Sequence, residues 1–232
     1  MATGEEMVTL ALKHVGEQYE NVLVPKNNAN WHGPWDCAEF MSWLVFQGAG
    51  ILYGCLDDNA KPAEADAYTG AWRRDSANRG KRIEVNKAAA IVGAFVLRFP
   101  PGPGKMGHIA ICDGDGGTVE AKSHKEDVVK DVVHDRRWDT GILIPGVAYD
   151  ESVTPLSVRP PTKVVHMGAV NDPNLVREIQ RALVAARIDP GPVDGKYGPK
   201  TTAAVAAFQR VNGLVMDGEV GPQTAKVLGI QL

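Results

Sequence analysis

The chain has 232 residues, of which 44% are hydrophobic and 23% charged, and a formal net charge of -3. That length allows two domains of unequal size, and the composition is that of a folded globular protein, neither disordered nor fibrous. The small negative charge argues against nucleic acid as the main partner, since phosphate binding needs a cationic excess, and the longest apolar run, Ala88–Leu97, is about half the ~20 residues a membrane span requires.

The first twenty residues carry Glu5, Glu6, Glu17 and Glu20 and no apolar stretch of signal-peptide length, so no Sec-type export is expected. Met7, Leu10, Ala11 and Val15 recur at helical spacing, predicting an amphipathic helix over residues 5–16 that Gly16 stops. After a stretch rich in Asn, Gly and Pro, Asp36 followed three residues later by Glu39 has the form of a capping box, and it opens a second helix that runs to about Phe46. Residues 60–85 are polar and carry no usable motif. Ile91–Phe99 reads as a buried strand, His108–Cys112 as a second and Thr118–Ala121 as a third, the last two joined by the turn Asp113-Gly114-Asp115-Gly116-Gly117. Helices followed by an antiparallel sheet predict an α+β domain over residues 1–150.

Residues 151–171 hold Pro155, Pro160 and Pro161 with little periodicity and are expected to be an extended linker. A second domain over 172–232 opens on Asp172-Pro173, an N-cap and N1 pair, with Leu175, Ile179 and Leu183 on one helical face. It contains a repeat, Asp194-Gly195-Lys196-Tyr197-Gly198-Pro199-Lys200-Thr201 and Asp217-Gly218-Glu219-Val220-Gly221-Pro222-Gln223-Thr224, in which each copy is a turn feeding a helix. A bundle of three short helices is the expected product.

Cys37 falls in the first turn of its helix, where unpaired amides and the helix dipole favour a thiolate. The competing reading is a packed, inert thiol, the common state of free cysteine, and the three cysteines Cys37, Cys55 and Cys112 are too few and odd in number for a disulfide framework. A cysteine nucleophile needs a base and the base an orienter. His108 begins a strand after Gly107, whose missing side chain would admit the cysteine helix; spacing alone does not single it out among the six histidines. With the turn centred on Asp115, residue 110 lies opposite 120, so Glu120 shares a face with His108 and sits diagonally from it. His124 is the alternative orienter. No His-Glu-x-x-His helix or Cys-x-x-Cys pair offers a zinc ligand set, and Gly102-Pro103-Gly104-Lys105 lacks the spacing of a phosphate-binding loop, so neither metal nor cofactor is expected.

Five stretches taken together, Gly16-Glu17-Gln18-Tyr19, Asp36-Cys37-Ala38-Glu39-Phe40, Gly93-Ala94-Phe95-Val96, Gly107-His108-Ile109-Ala110-Ile111 and Val119-Glu120-Ala121, resemble in order and spacing the NlpC-type family of papain-like cell-wall cysteine peptidases. The resemblance implies a papain-like fold with N-terminal helices packed on an antiparallel sheet. It also implies Cys37 as nucleophile, His108 as base, Glu120 as third member, and Tyr19 and Asp36 on the substrate side. Ala38 and Glu39 depart from the family's usual Ser and Gly after the cysteine, which bears on the position of cleavage. Residues 174–230 resemble a three-helix peptidoglycan-binding domain, in which Gln180 and Gln209 are either ligand contacts or framework groups.

The implied activity is hydrolysis of an amide bond in a peptidoglycan stem peptide, between D-glutamate and diaminopimelate on family grounds, with delivery as a phage lysin or a secreted antibacterial effector. Peptidoglycan is the expected partner, joined by an immunity protein or secretion component if delivery is by injection; no nucleic acid and no membrane are expected as partners. A wall-binding module without activity and an acyltransferase on the same fold are the alternatives.

Overall fold

The computed structural model describes residues 1–102, 105–158 and 164–232. Pro103, Gly104, Pro160 and Pro161, which entered the sequence argument, lie outside the described residues. The chain separates into two compact units, one of residues 1–134 and 138–158, the other of 135–137 and the chain beyond 158.

The first unit is α+β. Strand β1 (Ala2–Thr3) leads into helix α1 (Gly4–Leu12), shorter than expected and started by a capping box in which Thr3 and Glu6 exchange side-chain and backbone hydrogen bonds. Helix α2 (Cys37–Ala49) is buried from Cys37 to Val45 and ends on Gly50 at φ 69°. Asp36 caps it alone. The Glu39 side chain does not complete the expected box but runs inward, where it accepts from the amides of Val24 (2.8 Å) and Ala67 (2.6 Å) and pairs with the buried Lys26 ammonium at 2.5 Å. Glu39 is therefore a buried tie for two loops.

Residues 60–85 are more ordered than their polarity suggests, with helix α3 (Thr69–Asn78) and strand β2 (Lys81–Ile83). The strand expected over Ile91–Phe99 is shorter: helix α4 (Val85–Ala89) ends just before it, Gly93 turns the chain at φ 81°, and strand β3 spans only Phe95–Arg98. A side chain at Gly93 would lie 2.2 Å from the Gly4 Cα, so the turn requires glycine. Strands β4 (His108–Cys112), β5 (Gly117–Ser123), β6 (Asp127–Val132) and β7 (Thr140–Leu143) complete a six-stranded antiparallel sheet in the order β2-β7-β3-β4-β5-β6; β8 (Val147–Ala148) pairs in parallel with β1.

Alternation sorts the sheet into two faces. Phe95, Leu97, Ile109, Ile111, Val119 and Ala121 pack with α1 and α2, while Val96, Ala110 and Cys112 pack with Ala88 and Ala89 of α4. Residues at the start of the expected linker lie against this second layer: Leu156 packs there and its amide donates to Asn86 O at 3.0 Å.

The second unit contains α5 (Pro173–Ala185), α6 (Pro199–Asn212) and α7 (Pro222–Leu228) around Val176, Ile179, Leu183, Val205 and Val220. The sequence repeat becomes a repeated clamp. Gln180, on α5, accepts from the Gly195 amide (3.0 Å) and donates to Asp194, Lys196 O and Thr201 Oγ1; Gln209, on α6, accepts from Gly218 (2.8 Å) and donates to Asp217, Glu219 O and Thr224 Oγ1. Both glutamines are buried at 1% exposure with their polar atoms occupied, which makes them framework groups. No helix among the described residues is long and apolar enough to cross a membrane.

Candidate active site

The site is built where the sheet opens. Strands β4 and β5 pair at Ile111 with Val119 and at Cys112 with Thr118, which places residue 110 opposite 120; among the described residues the ladder with β5 does not reach the start of β4, which pairs with β3 alone. The Cys112 amide donates to Ala94 O at 2.7 Å on the β3 side, so by alternation the Ile109 amide points toward β5, into the opening. Its N–H lies close enough to the Cys37 thiol to pull the thiol's pKa down. The first turn of α2 thus brings the sulfur to the gap between β4 and β5.

His108 and Glu120 flank that gap on the α4 side of the sheet. His108 Nε2 and Glu120 Oε2 form a short hydrogen bond, and the other carboxylate oxygen accepts from Thr118 Oγ1 at 2.6 Å. Glu120 is 0% and His108 2% exposed, so the pair is shielded from competing water. The Trp138 ring lies over the imidazole, centroids 5.7 Å apart and planes tilted by 31°. Gly107 serves a purpose other than expected: a side chain there would lie 2.2 Å from Arg98 O, so the glycine makes room for the end of β3 and not for the cysteine helix. Its amide is held by Thr69 Oγ1 at 2.9 Å.

Asp36 Oδ1 accepts from the amides of Ala38 and Glu39, both at 2.8 Å. Burial pushes its carboxyl up to about 7, helped by the nearby Glu39 charge and opposed by the two cap bonds and Lys26. Tyr19 forms an isolated parallel bridge with Trp35, and its amide donates to Asp127 Oδ1 at 3.0 Å. Its phenol is held well above the usual range by burial first, then by the neighbouring Cys37 and Asp36. His124 stacks edge-on against the Tyr19 ring at 5.0 Å. The histidine that sequence offered as a second orienter therefore sits beside Tyr19, while Glu120 holds the His108 ring nitrogen.

The thiol does not have the acidity its helix position suggests. Burial raises the Cys37 pKa strongly, the Asp36 and Glu120 charges add to this, and Arg98 with the Ile109 N–H pull it down without overcoming burial. Desolvation outweighs the helix terminus. Cys112 is raised in the same direction by burial, and Cys55 to about 11. Thr118, Arg98 and Trp138 were missed in the sequence. Thr118 was within reach, two residues before Glu120 on the same strand face, whereas Arg98 required the β3–β4 register that sets it opposite His108.

Away from the sulfur, the fold gathers His14, Glu17 and His32, whose potential ligand atoms lie within 4.8 Å of one another. No metal-ligand spacing announces them, because one of the three comes from a loop 15 residues downstream of Glu17.

Residues 172–228 match the family model for a peptidoglycan binding domain. Over 57 residues, 24% of the chain, the sequence is 47% identical to an uncharacterised protein of the bpoA1 3′ region of Kitasatospora aureofaciens, and the match takes in 48% of that relative's length. In shape, 62% of the chain overlays all of the NlpC/p60 domain of the peptidoglycan hydrolase SagA, with 21% identity and a TM-score of 0.43. A similar overlay, covering 63% of this chain and 44% of the other at 14% identity and a TM-score of 0.42, is found with NlpC1 of Trichomonas vaginalis.

Proposed function

We propose that the chain is a cell-wall hydrolase that cleaves an amide bond in the stem peptides of peptidoglycan through a thiol mechanism. The observation that carries this reading is the buried His108–Glu120 pair at the opening between β4 and β5, with the Glu120 charge and the Ile109 N–H both felt by the Cys37 thiol at the start of α2.

Because burial keeps the isolated thiol protonated, the proton moves within the site. His108 Nε2 faces Glu120, so Nδ1 is the nitrogen that takes the Cys37 proton as the sulfur attacks the substrate carbonyl carbon. In this reading the Cys37 amide, in the first turn of α2, and the Tyr19 phenol stabilise the oxyanion. The imidazolium returns its proton to the leaving amine, the C–N bond breaks, and an acyl-enzyme thioester remains. Water, deprotonated by His108, attacks the thioester and releases the carboxylate and the thiol. Glu120 fixes the tautomer and stabilises the imidazolium, with Thr118 aiming its second oxygen.

The match of residues 172–228 to a peptidoglycan-binding family supports peptidoglycan as the polymer on which the second unit acts as an anchor. Family resemblance supports the D-glutamyl-diaminopimelate bond, and delivery as a lysin or an injected effector, with an immunity protein in the second case, goes with that reading. An inactive wall-binding module would not require a buried charged pair at the sulfur. The test is release of soluble peptides from purified sacculi by wild type and Cys37→Ala. We expect the variant to bind sacculi and release nothing; turnover near wild type would remove Cys37 from the chemistry.

A further inference from the structure

We propose that His14, Glu17 and His32 form a binding site for one divalent transition-metal ion of the zinc class, which braces the two segments that deliver Tyr19 and Asp36. The site lies outside the thiol chemistry and stands independently of it.

The donors are chemically matched to such an ion. Two imidazoles and one carboxylate suit zinc and its neighbours, whereas calcium and magnesium prefer all-oxygen sets. His14 Nδ1 lies 2.9 Å from Glu17 Oε2, and His32 Nδ1 lies 3.0 Å from Glu17 Oε1. Tetrahedral zinc, with bonds of roughly 2.0–2.2 Å, sets its ligand atoms roughly 3.4 Å apart. Replacing the shared protons by an ion thus asks for shifts of tenths of an ångström at the carboxylate, and for the two imidazole nitrogens, now within 4.8 Å, to draw together.

The movement falls on the residue able to make it. The His14 side chain is 4% exposed, and its ring is fixed edge-on by Trp35 at 5.2 Å, Phe40 at 5.9 Å and Trp43 at 5.0 Å. The His32 side chain is 74% exposed on its loop and can swing. Its solvent side also leaves a fourth position for water. Trp35 Nε1 donates to Glu17 Oε2 at 2.6 Å, which orients the carboxylate as an outer partner orients a metal ligand. A hydrogen bond from so exposed a histidine contributes little by itself.

An ion here would tie the turn after α1 to the loop that runs into α2. The same two segments are already joined by Trp35 N to Gln18 O at 2.9 Å and Glu20 N to Trp35 O at 3.0 Å. Tyr19 lies between the first pair of anchors and Asp36 directly follows the second, so bracing this bridge holds both residues against Cys37.

The experiment uses the untagged full chain, stripped with chelator and titrated with Zn2+ by calorimetry. One ion per chain is expected, with a rise in melting temperature on the order of 5 °C at a hundredfold excess over Kd. Co2+ should give the visible bands of a low-symmetry nitrogen–oxygen site, and Mg2+ should not compete. His32→Ala, an exposed change that spares the core, should lower the zinc affinity by about a hundredfold or more, while Cys37→Ala and His166→Ala, the latter in the second unit, should each still bind one ion. Absence of zinc binding at 100 µM (roughly the concentration at which only weak sites remain empty), unchanged affinity in His32→Ala, or loss of the ion in Cys37→Ala would each overturn the assignment.

Discussion

Glu120 can be tested in a way that separates its charge from its shape. In Glu120→Gln the amide oxygen can accept from His108 Nε2, provided the NH2 group faces Thr118. This is possible because the Thr118 hydroxyl, which now donates at 2.6 Å, can rotate to accept. The imidazole then keeps its tautomer but exchanges a charge-assisted partner for a neutral one. Hydrogen bonds to charged groups contribute about 1.5–3 kcal/mol and neutral ones about 0.5–1.5 kcal/mol, so the imidazolium loses on the order of 1 kcal/mol, a fall of roughly 5- to 15-fold in kcat. The opposite orientation would put the proton on the wrong nitrogen and lower kcat by about 10⁴. Glu120→Ala leaves a buried imidazole and hydroxyl without their partner, costs about 3–5 kcal/mol of stability, and should reduce kcat further than Gln. Hydrolysis of one muropeptide would be followed across pH 5 to 9, with thermal melts of each variant. A folded Glu120→Ala protein at full rate would refute the reasoning, and a crippling effect of His124→Ala would transfer the orienting role to a residue the fold places against Tyr19.

Asp36→Asn retains a good N-cap but removes a charge beside the thiol, so Cys37 should be alkylated faster by iodoacetamide at pH 8, where Asp36 is ionised in wild type. The folded-state carboxyl, raised to about 7, lies above its unfolded value of about 3.9. Its stabilising contribution is therefore full below pH ~4 and is lost as pH rises toward 7; the drop in melting temperature from pH 5 to pH 8 should shrink in Asp36→Asn. Gln209→Ala removes the hydrogen bonds this side chain makes with Gly218 N, Asp217 Oδ1, Glu219 O and Thr224 Oγ1 and should destabilise the helical unit by about 2–4 kcal/mol, read from its own unfolding transition. Removal of residues 159–232 should weaken sedimentation with sacculi by tenfold or more (roughly the loss of a tethered second contact) yet leave cleavage of small muropeptides near wild type. Equal loss on both substrates would mean that the tail completes the site.

What could be read from the sequence was what local chemistry pins. The Asp-Gly-Asp-Gly-Gly turn centres the β4–β5 hairpin, so parity alone places Glu120 diagonal to His108, and Asp36 marks the first turn of α2. Helices α6 and α7 follow from the repeated turn and its prolines, and α5 from the Asp172-Pro173 pair. Helix α3 is harder to see because Tyr68 gives it no side-chain cap and Trp72 is its one large buried side chain. Helix α4 is hidden in an apolar run whose alanines serve a helix packed on the sheet as well as they would a strand. Glu39 imitates a capping box because spacing cannot tell a side chain that turns back to Asp36 from one drawn inward by Lys26.

The acidity of Cys37 could not be read locally, since it is decided by burial and by groups from four elements. The Ile109 N–H and Arg98 favour the anion, while burial, Asp36 and Glu120 oppose it, and burial dominates. In the proposed mechanism this opposition does not block the chemistry. Transfer of the proton from Cys37 to His108 leaves the summed charge of Cys37, His108 and Glu120 at one negative charge before and after, so the site separates charge internally instead of acquiring a new buried one. The imidazolium then stands between the thiolate and the Glu120 carboxylate, attracted to both. A thiol that resists ionisation alone and ionises only as half of a pair is protected from adventitious oxidation and alkylation, whose rates follow the free thiolate. On this argument the burial that opposes the helix terminus confines reactivity to the moment when His108 takes the proton.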